Sequence, residues 1–284
     1  MTVKPILVAA ARRGRPLFGA LLLLATLAGG PALARDLRLE VSYSISLAGL
    51  PIGEVNAMAR FNDDGSYDAR ISGATNGWTR LISNTSGTAI ASGTIVGTTV
   101  SPRAYVLATD EDGYKTHVRM RLTGRAVVRS QAEPPAGQEK DRIPVTPGDL
   151  RNVVDPVAAI VVVLRDGEKP SGATACNRTV PVFDGWQRFD VQLTYETTRQ
   201  VKESSSGVAY ACSARYIPIA GHRKSEANSQ FLMENHLELW MAPIAGTNLL
   251  VPIDVILTTE YGQVIVRGRS FVVSDNGVKA DAAG

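Results

Sequence analysis

The alternation of apolar and polar residues from Leu37 to Leu47 constrains the fold of this chain more than any other feature. Apolar side chains occupy every second position there, with Arg38, Glu40 and three serines between them. This two-residue period predicts a β-strand that buries one face. Eleven residues at about 3.3 Å each give a strand of roughly 36 Å, about twice the usual length. Such a strand is typical of a strongly curved sheet or a barrel wall.

The same alternation returns along the chain in about a dozen segments. Asn62-Asp63-Asp64-Gly65 and Asp110-Glu111-Asp112-Gly113 have the composition of hairpin turns. Further strand candidates lie at 178–183, 189–195, 210–216, 231–241, 249–258 and 263–273. We therefore predict a mainly β fold, with long antiparallel strands in a strongly curved sheet or open half-barrel.

One segment favours a central helix inside that sheet. Asp155 suits an N-cap, Pro156 suits the first helical position, and Gly167 lies beyond the end of 157–165. The same segment contains the apolar run Ile160–Val163, which equally suits a buried strand because its valines and isoleucine are β-branched. We predict the helix and keep the strand as the alternative.

The first 34 residues have the pattern of an export signal. Four basic residues precede the apolar run from Leu17 to Leu27, and Ala32-Leu33-Ala34 offers small residues for cleavage. We predict a cleavable signal peptide at 1–34 and one β-rich domain at 35–284, with a Pro-rich loop at about 132–148. The expected location is the periplasm.

Charge excludes some classes of partner. Four of the 30 basic residues lie in the predicted signal, which has none of the 27 acidic residues, so the remaining chain is close to neutral. A neutral chain gives no electrostatic argument for nucleic acid as a partner. No apolar run reaches the roughly 20 residues that span a bilayer, so we expect no transmembrane span in the mature chain.

The two cysteines, Cys176 and Cys212, both lie in the predicted mature chain. An even number of cysteines in an exported protein predicts a disulfide. The spacing is not Cys-x-x-Cys, so a redox pair is disfavoured.

Recognised catalytic motifs are missing from the sequence, including the Gly-x-Ser-x-Gly elbow, the phosphate-binding loop and His-Glu-x-x-His. Glu234, His236 and Glu238 alternate on one candidate strand at a spacing that metal ligands can share, but a solvated strand face explains them equally. The basic residues at 115–121 alternate on another candidate strand. They could bind phosphate or lipid headgroups, or they could form an ordinary solvated face of the sheet. We predict no metal, no cofactor and no enzymatic activity.

Apolar residues outside the strands offer the best candidate for a binding site. Trp78, Leu81 and Ile82 come after Asn76-Gly77 in an irregular segment, where they would form a lip over the inner surface of the sheet. Ile160, in the apolar 157–165 segment, would line the same hollow. A curved sheet around one apolar segment can leave an apolar cavity of roughly 300 Å³ or more, and core packing is the alternative.

Several blocks in a fixed order resemble one family of exported bacterial proteins, domain of unknown function 3108. The resemblance covers about Tyr43 to Phe271, and the blocks that carry it are 43–61 with Gly49, Gly53 and Glu54, Asp155-Pro156, Val182-Phe183-Asp184-Gly185, Arg188-Phe189-Asp190, Cys212 to Gly221 and Leu237 to Pro243. The resemblance implies a periplasmic, mostly antiparallel β protein with no assigned activity. Its element order is similar to that of half-barrel lipoprotein carriers, an analogy at the level of fold.

The sequence leaves three functional hypotheses. The first is a non-catalytic periplasmic binding or envelope-assembly protein that holds an apolar or lipid-like small molecule. The second is a hydrolase acting on envelope polymer with carboxylates from separate strands. The third is a structural protein that offers a sheet edge to an envelope protein partner.

Overall fold

The computed structural model describes residues 36–81, 83–202, 207–225, 230–231, 233, 235, 237–275 and 278–281. Strands dominate the described chain. The first seven are β1 (Leu37–Leu47), β2 (Leu50–Phe61), β3 (Ser66–Thr75), β4 (Thr85–Val96), β5 (Thr99–Glu111), β6 (Tyr114–Thr123) and β7 (Ala126–Glu133). The others are β8 (Val162–Val163), β9 (Arg178–Phe183), β10 (Arg188–Gln200), β11 (Val208–Ala220), β12 (Leu237–Pro243), β13 (Leu249–Thr259), β14 (Gly262–Asp275) and β15 (Val278–Asp281).

These strands form one 15-stranded sheet. Its main path runs β7-β6-β5-β4-β3-β2-β1-β14-β13-β12-β11-β10-β9, with β15 beside β14 and β8 beside β13. Neighbours along the path are antiparallel, and most are consecutive in the chain, so the sheet is built mainly from hairpins. The pairing of β1 with β14 joins the two halves of the chain at the centre of the sheet. The predicted mainly β, antiparallel fold class is confirmed.

Local sequence explains why the hairpins form where they do. β1 has the predicted bounds, because its alternating residues bury Leu39 and Val41 on one face. At the β2–β3 turn, the Asn62 side-chain amide donates a hydrogen bond to Ser66 Oγ at 2.8 Å. At the β5–β6 turn, the Gly113 N–H donates to Asp110 Oδ1 at 2.8 Å. The polar turn residues therefore act locally on the chain.

β-Bulges interrupt the register of several strand pairs. Register shifts lie between Ser42 and Tyr43, between Ser92 and Gly93, and between Trp240 and Met241. A bulge adds a residue to one strand, which bends that strand and increases the local twist. These positions allow long strands to curve around a shared core.

The predicted helix over 157–165 is wrong, and the alternative strand is present in part. Ala158–Ile160 form a single 3₁₀ turn, Val161 is extended, and β8 pairs with Leu249 and Leu250 of β13. The Asp155-Pro156 sequence is followed by a single helical turn. The β-branched residues after that turn are extended, and Val162–Val163 form a strand. An α-helix, α1, lies instead at Gly172–Cys176, where Ser171 and Thr174 form a capping box.

Residues 150–163, which we call the strap, join the two edges of the sheet. On one side, the Val127 N–H of edge strand β7 donates to Leu150 O at 2.8 Å, and the Val153 N–H donates to Arg125 O at 3.0 Å. On the other side, Val154 pairs in parallel with edge strand β9, exchanging hydrogen bonds with Pro181 O and the Phe183 N–H. The sheet stays open, and its two edges are joined by hydrogen bonds to the strap.

The buried apolar residues of the described chain form four clusters distributed over both halves of the sheet. One cluster joins Leu39, Val41 and Phe271 to Trp240 and Ile253. A second places strap residues against the first half, and its buried members are Tyr67, Ala91, Tyr105, Val118, Met120, Leu122, Val153, Val157 and Phe183. Alternate strap residues face the other way, because Val154 and Ala158 pack on Val182 of β9.

The Pro-rich segment after β7 docks on the end of β11. Ile143 exchanges backbone hydrogen bonds with Gly221 and His222, at 2.7 and 3.0 Å. Asp141 forms an ion pair with Arg223 at 3.2 Å. Within the described residues, no helix has the length and apolar character needed to cross a bilayer.

Candidate functional site: an apolar groove beneath the strap

A groove of about 390 Å³ lies between the strap and strands β9, β10 and β12. Most of its lining is apolar, and the strap residues that contribute are Val154, Pro156, Ala158, Ala159, Ile160, Val161, Val162 and Val163. The strands contribute Val180, Val182, Phe189, Val191, Leu193, Leu237, Leu239 and Met241, and Thr98, Thr99 and Val100 also line the groove. This volume falls in the range of small-molecule sites.

The alternation of β9 and β10 explains the apolar floor. Val180 pairs with Val191, and Val182 pairs with Phe189, so all four side chains lie on the same face of the sheet. The strap covers this face only in part, because Val180, Phe189 and Val191 remain half-buried, while Val182 is buried. An open apolar face of this kind is a candidate binding surface.

Two arginines also line the groove, Arg125 at the β6–β7 turn and Arg178 at the start of β9. Arg125 Nη2 donates to Asn152 O at 3.3 Å, and Arg178 Nη2 donates to Thr174 O. In both side chains the Nε atom is buried and has no hydrogen-bond partner. Burial lowers the pKa of Arg178 below its ordinary value, and the nearby charge of Glu168 opposes this effect.

Asp155 is fully buried on the strap, next to the groove. Its Oδ1 atom accepts hydrogen bonds from the Val157 and Ala158 N–H groups at 2.9 and 3.0 Å, while Oδ2 has no partner. Desolvation raises the pKa of Asp155 to about 6, and the two backbone hydrogen bonds oppose the shift. The carboxylate therefore costs stability in its charged form.

Two buried tyrosines lie near this carboxyl group. Burial raises the pKa values of both Tyr67 and Tyr105, and the negative charge of Asp155 raises them further. The Tyr67 hydroxyl has no hydrogen-bond partner. The Tyr67 hydroxyl and Asp155 Oδ2 are thus buried polar atoms without a hydrogen-bond partner among the described residues.

The predicted ligand-binding residues fall in different places. Ile160 lines the groove. The backbone of Trp78 and Leu81 forms the 3₁₀ segment Gly77–Leu81, which is held to β2 by a hydrogen bond from Thr79 Oγ1 to Ile52 O at 2.9 Å. Ile82 lies outside the described residues. A lip formed by these three residues stays a prediction.

The cysteines lie beside the groove floor, since Cys212 is on the same face of the sheet as Leu193. The Cys176 and Cys212 sulfur atoms are 2.04 Å apart, at disulfide distance, and connect α1 to β11. Both residues are buried in a cluster with Leu193 and Met241, which also line the groove. The pair predicted from the cysteine count thus supports the groove floor.

The remaining charged residues near the turns and on β6 occupy ordinary structural positions. Asp184 Oδ1 accepts from the Trp186 and Gln187 N–H groups in the β9–β10 turn, and Asp190 forms an ion pair with Arg188 at 2.7 Å. The basic residues at 115–121 lie on one half-exposed to exposed face of β6. Of the three metal candidates, Glu234 and His236 lie outside the described residues.

A second, polar pocket of about 590 Å³ surrounds the buried carboxylate of Asp254. Asp254 accepts from Arg267 Nε at 3.1 Å and pairs with Arg199. The Arg199 guanidinium lies 4.0 Å from the centroid of the Trp240 ring. Since the Asp254 carboxylate already pairs with both arginines, we interpret this cluster as a structural ion-pair network.

Arg125, Arg178 and Asp155 were not among the site residues predicted from the sequence. For Arg178 a signal exists, because it continues the alternating set of Val180 and Val182 at the start of a strand. For Arg125 no local signal exists, since its place in the groove depends on contacts with the strap.

The described residues define a class of protein: an open, curved antiparallel sheet whose edges are joined by a strap over an apolar groove. The family described as "Protein of unknown function (DUF3108)" matches residues 42–267. The chain belongs to the DUF3108 family. The resemblance stated from the sequence is confirmed.

Comparison with solved structures gives a match to the beta-barrel-like protein of domain of unknown function DUF1849 from Brucella abortus. The match covers 85% of this chain and 99% of that chain, at 9% sequence identity and a TM-score of 0.49. No curated protein matches this chain.

Proposed function

We propose that this protein is a non-catalytic periplasmic protein that binds an apolar or lipid-like small molecule in the groove beneath the strap. The observation that carries the proposal is the groove itself, which has a volume of about 390 Å³ and a predominantly apolar lining. Burial of apolar ligand surface stabilises a complex by roughly 25 cal/mol per Å² before the costs of association.

The export pattern of residues 1–34 supports the periplasmic part of the proposal. The apolar floor supports the choice of ligand, because residues from β9, β10 and β12 and from the strap present aliphatic or aromatic surface to one space. The exposed side chain of Ile160 lies at its opening. An acyl chain is the ligand class that fits a long apolar surface of this kind.

Blocking the groove tests the proposal. Ala159 lines the groove and is half-buried, so Ala159→Trp places a large ring in the space that a ligand would occupy. The matched control is Val128→Trp, on exposed edge strand β7 outside the groove lining. We expect the purified protein and Val128→Trp to bind a fluorescent acyl probe, and Ala159→Trp to lose this binding.

Equal probe binding by Ala159→Trp and the control would contradict the proposal. Circular dichroism and thermal unfolding of both variants check that the fold is retained. If Ala159→Trp does not fold, Ile160→Asp offers a second variant, since an exposed residue at the opening accepts a charge but an apolar ligand does not.

A further inference from the structure

Arg178 occupies one end of the groove floor. It pairs with Leu193 across the β9–β10 ladder, and the next pair on the same face is Val180 with Val191. Because alternate residues of a strand share a face, the Arg178 side chain is in line with the apolar side chains of Val180 and Val182. A cation therefore ends a row of aliphatic groups.

The guanidinium of Arg178 has N–H donors that are not used in hydrogen bonds within the described protein. Its Nη2 atom donates to Thr174 O, and its buried Nε atom has no acceptor. None of the ion pairs among the described residues includes Arg178. The charge of Glu168 acts on Arg178 from a distance, and the Glu168 carboxylate accepts the Arg165 N–H at 3.0 Å. A partly buried cation without a direct counter-ion is costly unless an anion binds it.

We infer that Arg178 binds the acidic headgroup of an amphiphile whose apolar tail lies in the groove, along Val180 and Val182 toward Ile160. The inference rests on the proposed function and adds the chemical class of the ligand: a single carboxylate or phosphate on a long apolar chain. A guanidinium suits both headgroups, because it donates parallel hydrogen bonds to two oxygens.

Arg125 also lines the groove, and its Nε atom also lacks a partner. Its position differs, since it comes directly after Gly124 in the turn between β6 and β7, and its backbone carbonyl accepts the strap N–H of Val153. It is not part of the row formed by β9. Arg125 therefore serves as the matched control: it is a cation that lines the same groove, but we do not assign it the headgroup.

The test compares a long-chain fatty acid, its methyl ester and an alkyl phosphate of equal chain length, each displacing a fluorescent acyl probe from the purified, oxidised protein. We expect the acid to bind roughly 10- to 100-fold more tightly than the ester, the difference typical of a charge-assisted hydrogen bond. Arg178→Met should remove this preference, so that acid and ester bind with similar affinity. Arg178→Lys should restore part of it, and Arg125→Met should keep it.

Each outcome bears on the inference. Tighter binding of the phosphate than of the carboxylate, or the reverse, identifies the headgroup within the proposed class. Equal binding of acid and ester by the unaltered protein would overturn the headgroup assignment and leave the proposed function standing. A loss of preference in Arg125→Met but not in Arg178→Met would also overturn it. If neither acid nor ester binds, the proposed function fails as well.

Discussion

Gly185 and Val118 lie so close together that a Cβ atom on Gly185 would come within 2.5 Å of Val118 Cγ1. Gly185 is in the β9–β10 turn with φ of 112°, and Val118 of β6 is fully buried. Gly185→Ala should therefore destabilise the protein by about 2 to 4 kcal/mol, because overpacking adds to backbone strain. Urea denaturation measures the change.

The control for this prediction is Gly113→Ala. Gly113 also has positive φ, at 88°, but a Cβ atom there meets nothing within 4 Å. Only backbone strain of about 1 to 2 kcal/mol is expected. Equal losses in Gly113→Ala and Gly185→Ala would show that the contact with Val118 contributes nothing.

Asp155 should make stability depend on pH. Its pKa is about 6 in the folded protein, above the ordinary value of 3.8, so the folded state holds the proton more tightly than the unfolded chain does. The stabilisation is fully present below pH 4 and is lost as pH rises through 6, with a total loss of about 3 kcal/mol. Asp155→Asn keeps an acceptor for Val157 and Ala158 but cannot ionise.

The measurement is the free energy of unfolding of both proteins between pH 4 and pH 8. The stability of Asp155→Asn relative to the unaltered protein should increase across this interval. A constant difference, or one that decreases with pH, would mean that the carboxyl group is not desolvated.

The Cys176–Cys212 pair spans a sequence separation of 36 residues. On the chain-entropy view, a crosslink of this length contributes about 4 kcal/mol by restricting the unfolded chain. The double variant Cys176→Ala, Cys212→Ala should therefore unfold at lower urea concentration, by about 2 to 5 kcal/mol. Reductant should lower the stability of the unaltered protein and not that of the double variant, and a response by both would contradict the prediction.

The strap should behave as part of the sheet in hydrogen exchange. The amides of Val153, Val154 and Phe183 donate the backbone hydrogen bonds that link the strap to the two edges of the sheet. We expect their protection to match that of amides in β3, because opening them requires separating the sheet edges. Exchange as fast as that of the exposed turn residue Gly49 would show that the strap does not join the edges.

The strands were predictable because their signal is local. From Leu37 to Leu47, alternation alone gave the bounds of β1, and the Asn62–Gly65 turn placed the hairpin after β2. The strap was not predictable, because its conformation depends on partners far along the chain, at Arg125 and Pro181. Asp155 was predicted to be the N-cap of a helix. Its carboxylate does accept the Val157 and Ala158 N–H groups, but the N-cap of the short 3₁₀ turn that forms is Val157. A local cap signal cannot give the length of the helix or turn that follows it.

The candidate site also has one residue that was predictable from local sequence and one that was not. Ile160 was predicted because it lies in an apolar segment, and such a segment packs against other apolar groups; it does line the groove. Arg178 was not selected, since an arginine at the start of a strand usually lies in solvent. Its side chain is held by Thr174 of α1, and α1 could not be placed from the sequence.

The central claim is that the groove beneath the strap holds an apolar small molecule in the cell. Native mass spectrometry of the protein isolated from its own cells without detergent, followed by lipid extraction, tests this most directly. We predict a mass shift corresponding to one bound amphiphile, absent from Ala159→Trp and present in Val128→Trp. A mass equal to that of the bare chain for the unaltered protein, with no extractable lipid, would contradict the account.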